Sequence, residues 1–598
     1  MLDPNQRSLL TSLLTPPPGM VFDTGVATTF SLDPLTLLGV PLHLAWLSSH
    51  DDRDWLTDPI RLLEALRRVS DRLTVFADRG HMLIPGQANA LFALLEGTIS
   101  EVRAPRGGAF HSKLWLLRFR NSEDEESVVL RLGVLSRNLT FDRSWDLSLV
   151  LEGTPGRSNV AANRPLGELV AQLPSWAVRE VSPARRDLVQ RLAADLRRTR
   201  WELPGQWEEL RFHVLGTKRG RWDLGAADDL AVISPFLTTD ALAQLCAGKR
   251  RCMALVSRPD SLAALPAEDG ASFERCLVLD DAAETEDGEA SESRDTLGLH
   301  AKAVVLRRGW KTHLFVGSAN ATTAAMVAGR NIEVMVELVG RRAKVGRVED
   351  LLDKGGLGGV LADFDPRTPM EAPDPATTAA EAALESCQRA LAAADMAIYC
   401  TRNGDGHWGL GLRANAPVDF DGVAALAWPL SLPPERGVDA AGLASGTEVD
   451  LGLFDAADVT GLTGFELSCA GQVRRFALHL SVHGLPSERD AAILRRIVRN
   501  REGFLRYLRL LLGDFGAGIG LLDPDGPEGK GSWRMGHGAI EALLEDMVRA
   551  WSREPERLRD VQRVVERLRG ETDEDGAVVP PDFDALWTVF EQALQEAQ

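Results

Sequence analysis

The sequence predicts a mixed α/β protein in which two related lobes, each layered helix on sheet on helix, pair as a pseudo-dimer within one chain and are followed by a small β-rich domain and a C-terminal helical region. Three observations predict it. Short β-branched or leucine-rich runs alternate with helical stretches from residue 20 to residue 362. The same constellation of polar residues occurs once in each half of that span. Beyond it, the apolar pattern changes to strand-like alternation and then to helical spacing.

The first lobe is assigned to residues 1–165. Runs at 25–32, 42–47 and 73–77 read as strands around a helix near 59–69, and runs at 114–119, 128–135 and 147–151 complete the set. The second lobe, 166–365, repeats the theme with a helix near 184–203 and strands at 231–233, 253–256, 303–306, 314–316 and 334–338. Within it the segment DDAAETEDGEASESRD, 280–295, is acidic and lacks any large apolar residue, which is the composition of a solvated insertion. Residues 366–394 read as a linker, rich in Pro, Ala and Thr up to 378, and a helix. Residues 395–490 carry short alternating runs such as 465–469 and 473–480 and form the β-rich domain; TRNGDGHWGLGLR, 401–413, reads as a hairpin rather than a nucleotide loop. Residues 491–598 form the helical domain. There Ile493, Ile497 and Phe504, then Leu543, Leu544, Met547, Val548 and Trp551, fall on helical stripes that suit bundle packing, with a protein partner as the second use.

A chain of 598 residues and 65.1 kDa is too long for one core. With 44% hydrophobic and 26% charged residues it has the balance of an ordinary globular protein. No stretch approaches the roughly 20 uninterrupted apolar residues that span a bilayer, and the N-terminus lacks a secretory pattern, so no membrane is expected and the expected location is cytoplasmic. The six cysteines are scattered, without spacing for a metal or a disulfide framework. A net charge of -19 disfavours nonspecific coating of nucleic acid, which needs clustered Lys and Arg, but leaves room for a local basic cleft.

The chemistry is carried by the repeated constellation. In FHSKLWLLRF, His111 and Lys113 are two apart at the start of a predicted strand and therefore share a face. LGVLSRNLTFDRSWDLSL supplies Ser136 and Asn138, again two apart, and then Trp145 and Asp146. In the second lobe LHAKAVVL supplies His300 and Lys302, LFVGSAN supplies Ser318 and Asn320, and RNIEVMVEL supplies Glu333. The interval from Lys113 to Ser136 is longer than that from Lys302 to Ser318, and the polar hairpin tip NSEDEES, 121–127, accounts for the excess. One His-x-Lys carries no weight; two, each followed by Ser-x-Asn after the next strand, point to one composite site.

Phosphodiester hydrolysis requires a nucleophile, a proton donor for the leaving oxygen and fixed positive charge around the phosphoryl oxygens. Two histidines supply the first two, provided that their pKa values are pushed apart. Lys and Asn side chains donate to the nonbridging oxygens, and a carboxylate such as Asp146 or Glu333 orients a histidine through its second ring nitrogen. This chemistry needs neither a metal nor another cofactor.

These paired H-x-K and S-x-N sequences resemble the phospholipase D superfamily over residues 20–362. The absence of an Asp shortly after either Lys, and the stretch SRNLTFDRSWD, are most similar to its tyrosyl-DNA phosphodiesterase branch. The resemblance implies two phospholipase D-like lobes, His111 as nucleophile and His300 as general acid, and Lys113, Lys302, Asn138 and Asn320 as phosphate ligands. Ser136 and Ser318 would support the site, Glu333 would match the family's second-half carboxylate, and Asp146 would assist. The implied function is a metal-independent nuclease, with DNA as partner and a role in bacterial defence against foreign DNA. A phospholipase-type lipid hydrolase and a catalytically idle phosphate-binding scaffold are the alternatives.

His81, His213, His313, His407, His479, His483 and His537 lack motif partners and are expected at ordinary surface or core positions. RRIVRNREGFLRYLRLLLGD, 495–514, reads as an amphipathic helix with a solvated basic face, with contact to a nucleic-acid backbone as the alternative.

Overall fold

Two sheets with the same strand order form the first two-thirds of the chain. The computed structural model describes residues 10–45, 58–141, 144–218, 222–270, 272–280, 298–353, 356–366, 374–512, 538–553, 555–573 and 576–596. The first sheet contains β1 (Met20–Thr29), β2 (Leu73–Asp78), β3 (Ile99–Val102), β4 (Leu114–Asn121), β5 (Val128–Leu135), β6 (Ser148–Pro155) and β7 (Thr199–Trp201), in the order β3-β2-β1-β4-β5-β6-β7. The second contains β8 (Glu209–Leu215), β9 (Ala227–Ile233), β10 (Lys249–Val256), β11 (Arg275–Leu279), β12 (Ala303–Arg308), β13 (Lys311–Gly317), β14 (Glu333–Arg341) and β15 (Leu361–Asp363), in the order β15-β11-β10-β9-β12-β13-β14-β8. In both sheets the first three matched strands run parallel and the next three antiparallel.

Period-two alternation decides which face each side chain covers. Trp115, Leu117 and Phe119 of β4 join the core beneath the helices Pro34–Leu44 and Pro59–Val69. Leu114 and Leu116 join the opposite core, with Leu169, Leu173, Leu192 and Leu196 from the helices Arg164–Trp176 and Pro183–Arg198. That second core also holds Phe212, Val334 and Val336, so the two lobes share buried apolar surface. Strands buried on both faces, such as β2, read as continuous apolar runs for this reason.

Several elements differ from the sequence reading. Residues 42–44 end a helix and do not start a strand; Asp33 caps that helix by accepting from Leu35 N and Thr36 N, and Pro34 begins it. Residues 46 and 47 lie outside the described residues. The helix expected at 184–203 stops at Arg198, because 199–201 pair with β6 at the sheet edge. The first strand ends at Thr29, and Phe30 to Leu32 leave the sheet toward the site. Of the acidic segment 280–295, only Asp280 is described. The linker ends earlier than expected, since the helix Pro375–Ala393 starts where the Asp374 carboxylate accepts from Thr377 N.

The β-rich region consists of β16 (Met396–Arg402), β17 (Trp408–Ala414), β18 (Ala424–Pro429), β19 (Val438–Asp439), β20 (Val449–Phe454), β21 (Leu462–Cys469), β22 (Gln472–His479) and β23 (Ser481–His483). They form two four-stranded sheets, β20-β17-β16-β23 and β19-β18-β21-β22, around one core that includes Leu410, Leu451, Phe465 and Phe476. Segment 401–413 is the hairpin joining β16 to β17.

The segment expected as one basic helix is two, Arg489–Ile497 and Arg501–Leu512. Its basic face stays open to solvent while pairing with carboxylates: Arg496 binds Asp458, Arg495 binds Glu571, Arg501 binds Asp582 and Arg506 binds Asp58. Phe504, Tyr507 and Leu508 are buried in the core of the first lobe, where the Tyr507 hydroxyl accepts from Arg67 at 3.0 Å. On the helix Gly538–Arg553, Leu543 and Met547 are buried while Leu544, Val548 and Trp551 stay exposed, so the bundle absorbs only part of that stripe. Among the described residues no helix is long and apolar enough to cross a membrane.

Candidate active site

Each half-site forms where a central strand begins. His111 and Lys113 lead into β4, and His300 and Lys302 lead into β12. Both approaches are pinned across the lobe boundary by a parallel bridge. Phe110 lies opposite Ile332, with His111 N donating to Ile332 O and Ile332 N to Ala109 O, both at 2.9 Å. Trp145 lies opposite Leu299, with Trp145 N donating to Gly298 O and His300 N to Trp145 O, again both at 2.9 Å. One bridge seats His111 beside Glu333 at the start of β14, and the other seats His300 beside Asp146.

The side chains then cross between lobes. Nδ1 of His111 lies 2.9 Å from Oε2 of Glu333, and Nδ1 of His300 lies 3.2 Å from Oδ1 of Asp146. Each carboxylate is held by the serine of its own lobe: Ser318 Oγ donates to Glu333 at 2.5 Å and Ser136 Oγ to Asp146 at 2.8 Å. The serines are fixed in turn by Val334 N at 3.0 Å and Leu147 N at 2.8 Å. The result is two serine–carboxylate–histidine relays, each completed only by the other lobe. With the imidazole neutral, Nδ1–H donates to the carboxylate and the lone pair resides on Nε2.

Lys113 and Lys302 are buried, and each ammonium donates to the backbone carbonyl of its own histidine, at 2.9 Å to His111 O and 2.5 Å to His300 O. Between His111 and Lys113, Ser112 points the opposite way and shares a hydroxyl bond with Thr28 at 3.0 Å, as strand alternation requires. Burial pushes the Lys113 pKa well below its ordinary value, and the neighbouring Lys302 charge adds to the effect. Burial also lowers His111 from 6.5 to about 4, against the opposing pull of Glu333. His300 is lowered by burial too, with the Asp146 bond offsetting part of it. Burial alone would raise Glu333, yet the His111 and Lys113 charges and its hydrogen bonds hold it below the usual carboxylate range.

The asparagines are set by matching loops. Leu139 N donates to Thr29 Oγ1, and Ala321 N donates to Ser234 Oγ, both at 2.9 Å. Oδ1 of Asn138 and Oδ1 of Asn320 are buried without a hydrogen-bond partner among the described residues, as is Oδ2 of Asp146. Carboxamides not tied to the protein can turn to a ligand, and the two lysines supply the charge that an anionic ligand needs.

The histidines, lysines, serines and carboxylates singled out from the motifs therefore meet at one junction, and each asparagine lies two residues beyond its serine. The motif reading missed Thr29, Ser234, Phe30, Asp78 and His81. Phe30 packs 5.1 Å from the His111 ring and 4.1 Å from the His81 ring, centroid to centroid, and Lys113 Nζ lies 5.8 Å from its centre. Asp78 Oδ1 accepts from Phe110 N at 2.8 Å. Phe30, Asp78 and His81 have no counterpart in the second lobe, so the repeat does not reveal them. The other described histidines of that group sit in structural settings: His213 and His313 share Glu337 at 2.8 and 2.7 Å, His479 is buried against Ile99 O, His407 lies beside Asp405 and Asp455, and His483 stacks on Tyr399. His537 lies outside the described residues. Among the described residues, no group of three or more His, Cys, Asp or Glu side chains is arranged to hold a metal ion.

No family model and no curated protein matches the sequence. Among solved structures the chain is similar to a yeast tyrosyl-DNA phosphodiesterase, at 11% identity over 57% of this chain and 86% of that one, with a TM-score of 0.31. It is also similar to the phosphatidylserine synthase of Haemophilus influenzae, at 12% identity over 61% of this chain and 86% of that one, with a TM-score of 0.30.

Proposed function

We propose that this chain is a phosphodiesterase working through a covalent phosphohistidine, with nucleic acid, DNA foremost, as its substrate. The observation that carries the reading is the doubled relay: two histidines, each oriented through Nδ1 by a carboxylate of the opposite lobe, with two buried lysines between them.

In the first step Nε2 of His111 forms a bond to phosphorus as the bond to the leaving oxygen breaks. That oxygen takes the proton from Nε2 of His300. In the second step water adds to phosphorus, His300 accepts the water proton, and the P–N bond breaks with its electron pair returning to His111. Lys113, Lys302, Asn138 and Asn320 hold the nonbridging oxygens throughout, which stabilises the charge that builds in each transition state. His111 suits the nucleophile because its depressed pKa keeps it neutral at pH 7. Nucleic acid is favoured by the motif resemblance and by two exposed rings. Phe141 follows the Asn138 loop, and Phe236 follows Ser234 with the Arg258 guanidinium 5.8 Å from its centre; both offer a face to a base.

The test is cleavage of labelled single-stranded and double-stranded DNA in excess EDTA, with wild type beside His111→Ala and His300→Ala. Cleavage by wild type that survives chelation and vanishes in both variants is expected. Turnover of a small diester such as bis(p-nitrophenyl) phosphate without any DNA cleavage would keep the chemistry and overturn the substrate.

A further inference from the structure

The segment from Asp78 to Met82, directly after β2, is bridged to Leu32 within the first lobe and is gripped from outside by the helix Pro375–Ala393 and the β-rich region. Arg79 donates to Ala392 O at 3.1 Å and His479 O at 3.2 Å, and also bonds the buried Glu101 carboxylate at 2.5 Å. Gln388 donates to Gly80 O at 2.7 Å, and Ala477 N of β22 donates to Met82 O at 2.7 Å. Gly80 has φ +88, and a Cβ there would lie 2.8 Å from that of Ala392, so only glycine lets the two parts approach this closely. A turn of five residues is thus held as firmly as a strand, and it presents His81.

His81 also stands beside a carboxylate, but its Nδ1 makes no hydrogen bond among the described residues, unlike Nδ1 of the two relay histidines. Its Nδ1 lies 2.8 Å from Asp78 Oδ2, its ring packs on Phe30, and its side chain remains 38% exposed. Its outer nitrogen makes no hydrogen bond among the described residues. Phe30 is the common neighbour of His81, His111 and Lys113, so an occupant of the reaction centre extending past Phe30 reaches His81. In its protonated form the ring, with the Asp78 carboxylate beside Nδ1, donates from Nε2, the arrangement that recognises an anionic oxygen.

We propose that His81 is a specificity-determining residue that holds the phosphate adjacent to the scissile one, on the His111 side of a polynucleotide, and that the β-rich region is the scaffold that sets it there. This rests on the phosphodiesterase reading above. A lipid diester has no second chain phosphate for His81 to hold, so the proposal also separates the two substrate classes.

The experiment compares wild type, His81→Ala, His81→Gln and Gln388→Ala on bis(p-nitrophenyl) phosphate and on a single-stranded oligodeoxynucleotide. His81→Ala is expected to raise KM for the oligonucleotide at least about tenfold more than for the small diester, the worth of one charge-assisted hydrogen bond. His81→Gln, which keeps a donor, should recover part of that, and Gln388→Ala should show the same split more weakly. Equal losses on both substrates would overturn the proposal, because His81 would then act only by packing Phe30 against His111. No loss on either would overturn it as well. Wild type inert on both substrates would sink the phosphodiesterase reading instead. Oligonucleotide affinity of His111→Ala, with and without His81→Ala, then decides the subsite by itself, and unchanged affinity rejects it.

Discussion

The two half-sites share topology and residue types but not surroundings. Glu333 is fully buried and lies 2.9 Å from His111; Asp146 is half-buried and lies 3.2 Å from His300. After the hydroxyl that fixes each asparagine loop comes Phe30 in the first lobe, packed on His111, and Pro235 in the second. The β1–β2 and β9–β10 registers put Arg258 where the first lobe has Asp78. The proposed division of roles follows that difference: deeper burial lowers the His111 pKa to about 4, while the more open His300 takes a proton more readily.

The largest effect that would break this comparison is on the covalent intermediate. His111→Ala is expected to abolish labelled phosphoryl-enzyme trapped in denaturant at alkaline pH, where the P–N bond survives, and to lower turnover at least about 10⁴-fold, since it removes the proposed nucleophile. His300→Ala should still form the adduct from a p-nitrophenyl ester, whose leaving group needs no acid, and should accumulate it because hydrolysis lacks its base, costing about 10²–10⁴ in turnover. Label retained by His111→Ala and lost by His300→Ala would reverse the roles.

The carboxylates sharpen the comparison at smaller scale. Glu333→Gln should lower kcat by about a hundredfold and Asp146→Asn by about tenfold, because the buried partner does more to fix its histidine's tautomer. A larger loss for Asp146→Asn would show that burial does not rank the two relays.

Stability should carry the smallest signature. The folded His111 pKa is about 4 against 6.5 in the free side chain, so the unfolded state binds the proton first as pH falls. The His111 contribution is therefore complete above pH 6.5 and is lost on going down through 4, with a slope of at most about 1.4 kcal/mol per pH unit. Urea unfolding at pH 7, 6 and 5 should show a shallower decline for His111→Asn than for wild type. Equal slopes would mean that His111 protonates at its ordinary pH in the folded state.

Sequence alone determined the parts that depend on local spacing. Residues two apart at a strand start must share a face, so His111 with Lys113 and His300 with Lys302 were legible, and the second copy told them from chance. Alternation and run length likewise placed β4, β5 and β14 to within a few residues. Where tertiary contact outweighed local preference, the reading slipped or was incomplete: the edge pairing that stops a helix at Arg198, and the carboxylates that gather Arg495, Arg496, Arg501 and Arg506, lie far away in the chain. Only the docking of two sheets decided that Glu333 serves His111 and Asp146 serves His300, since each bond spans the lobe boundary. Tertiary packing likewise placed His81, through first-lobe backbone bonds to Leu32 and the contacts of the β-rich region with Arg79 and Met82. Local geometry is set by neighbours within a strand or a turn, whereas the relays and the His81 shelf are set by how separately formed layers pack, and no spacing along the chain encodes that.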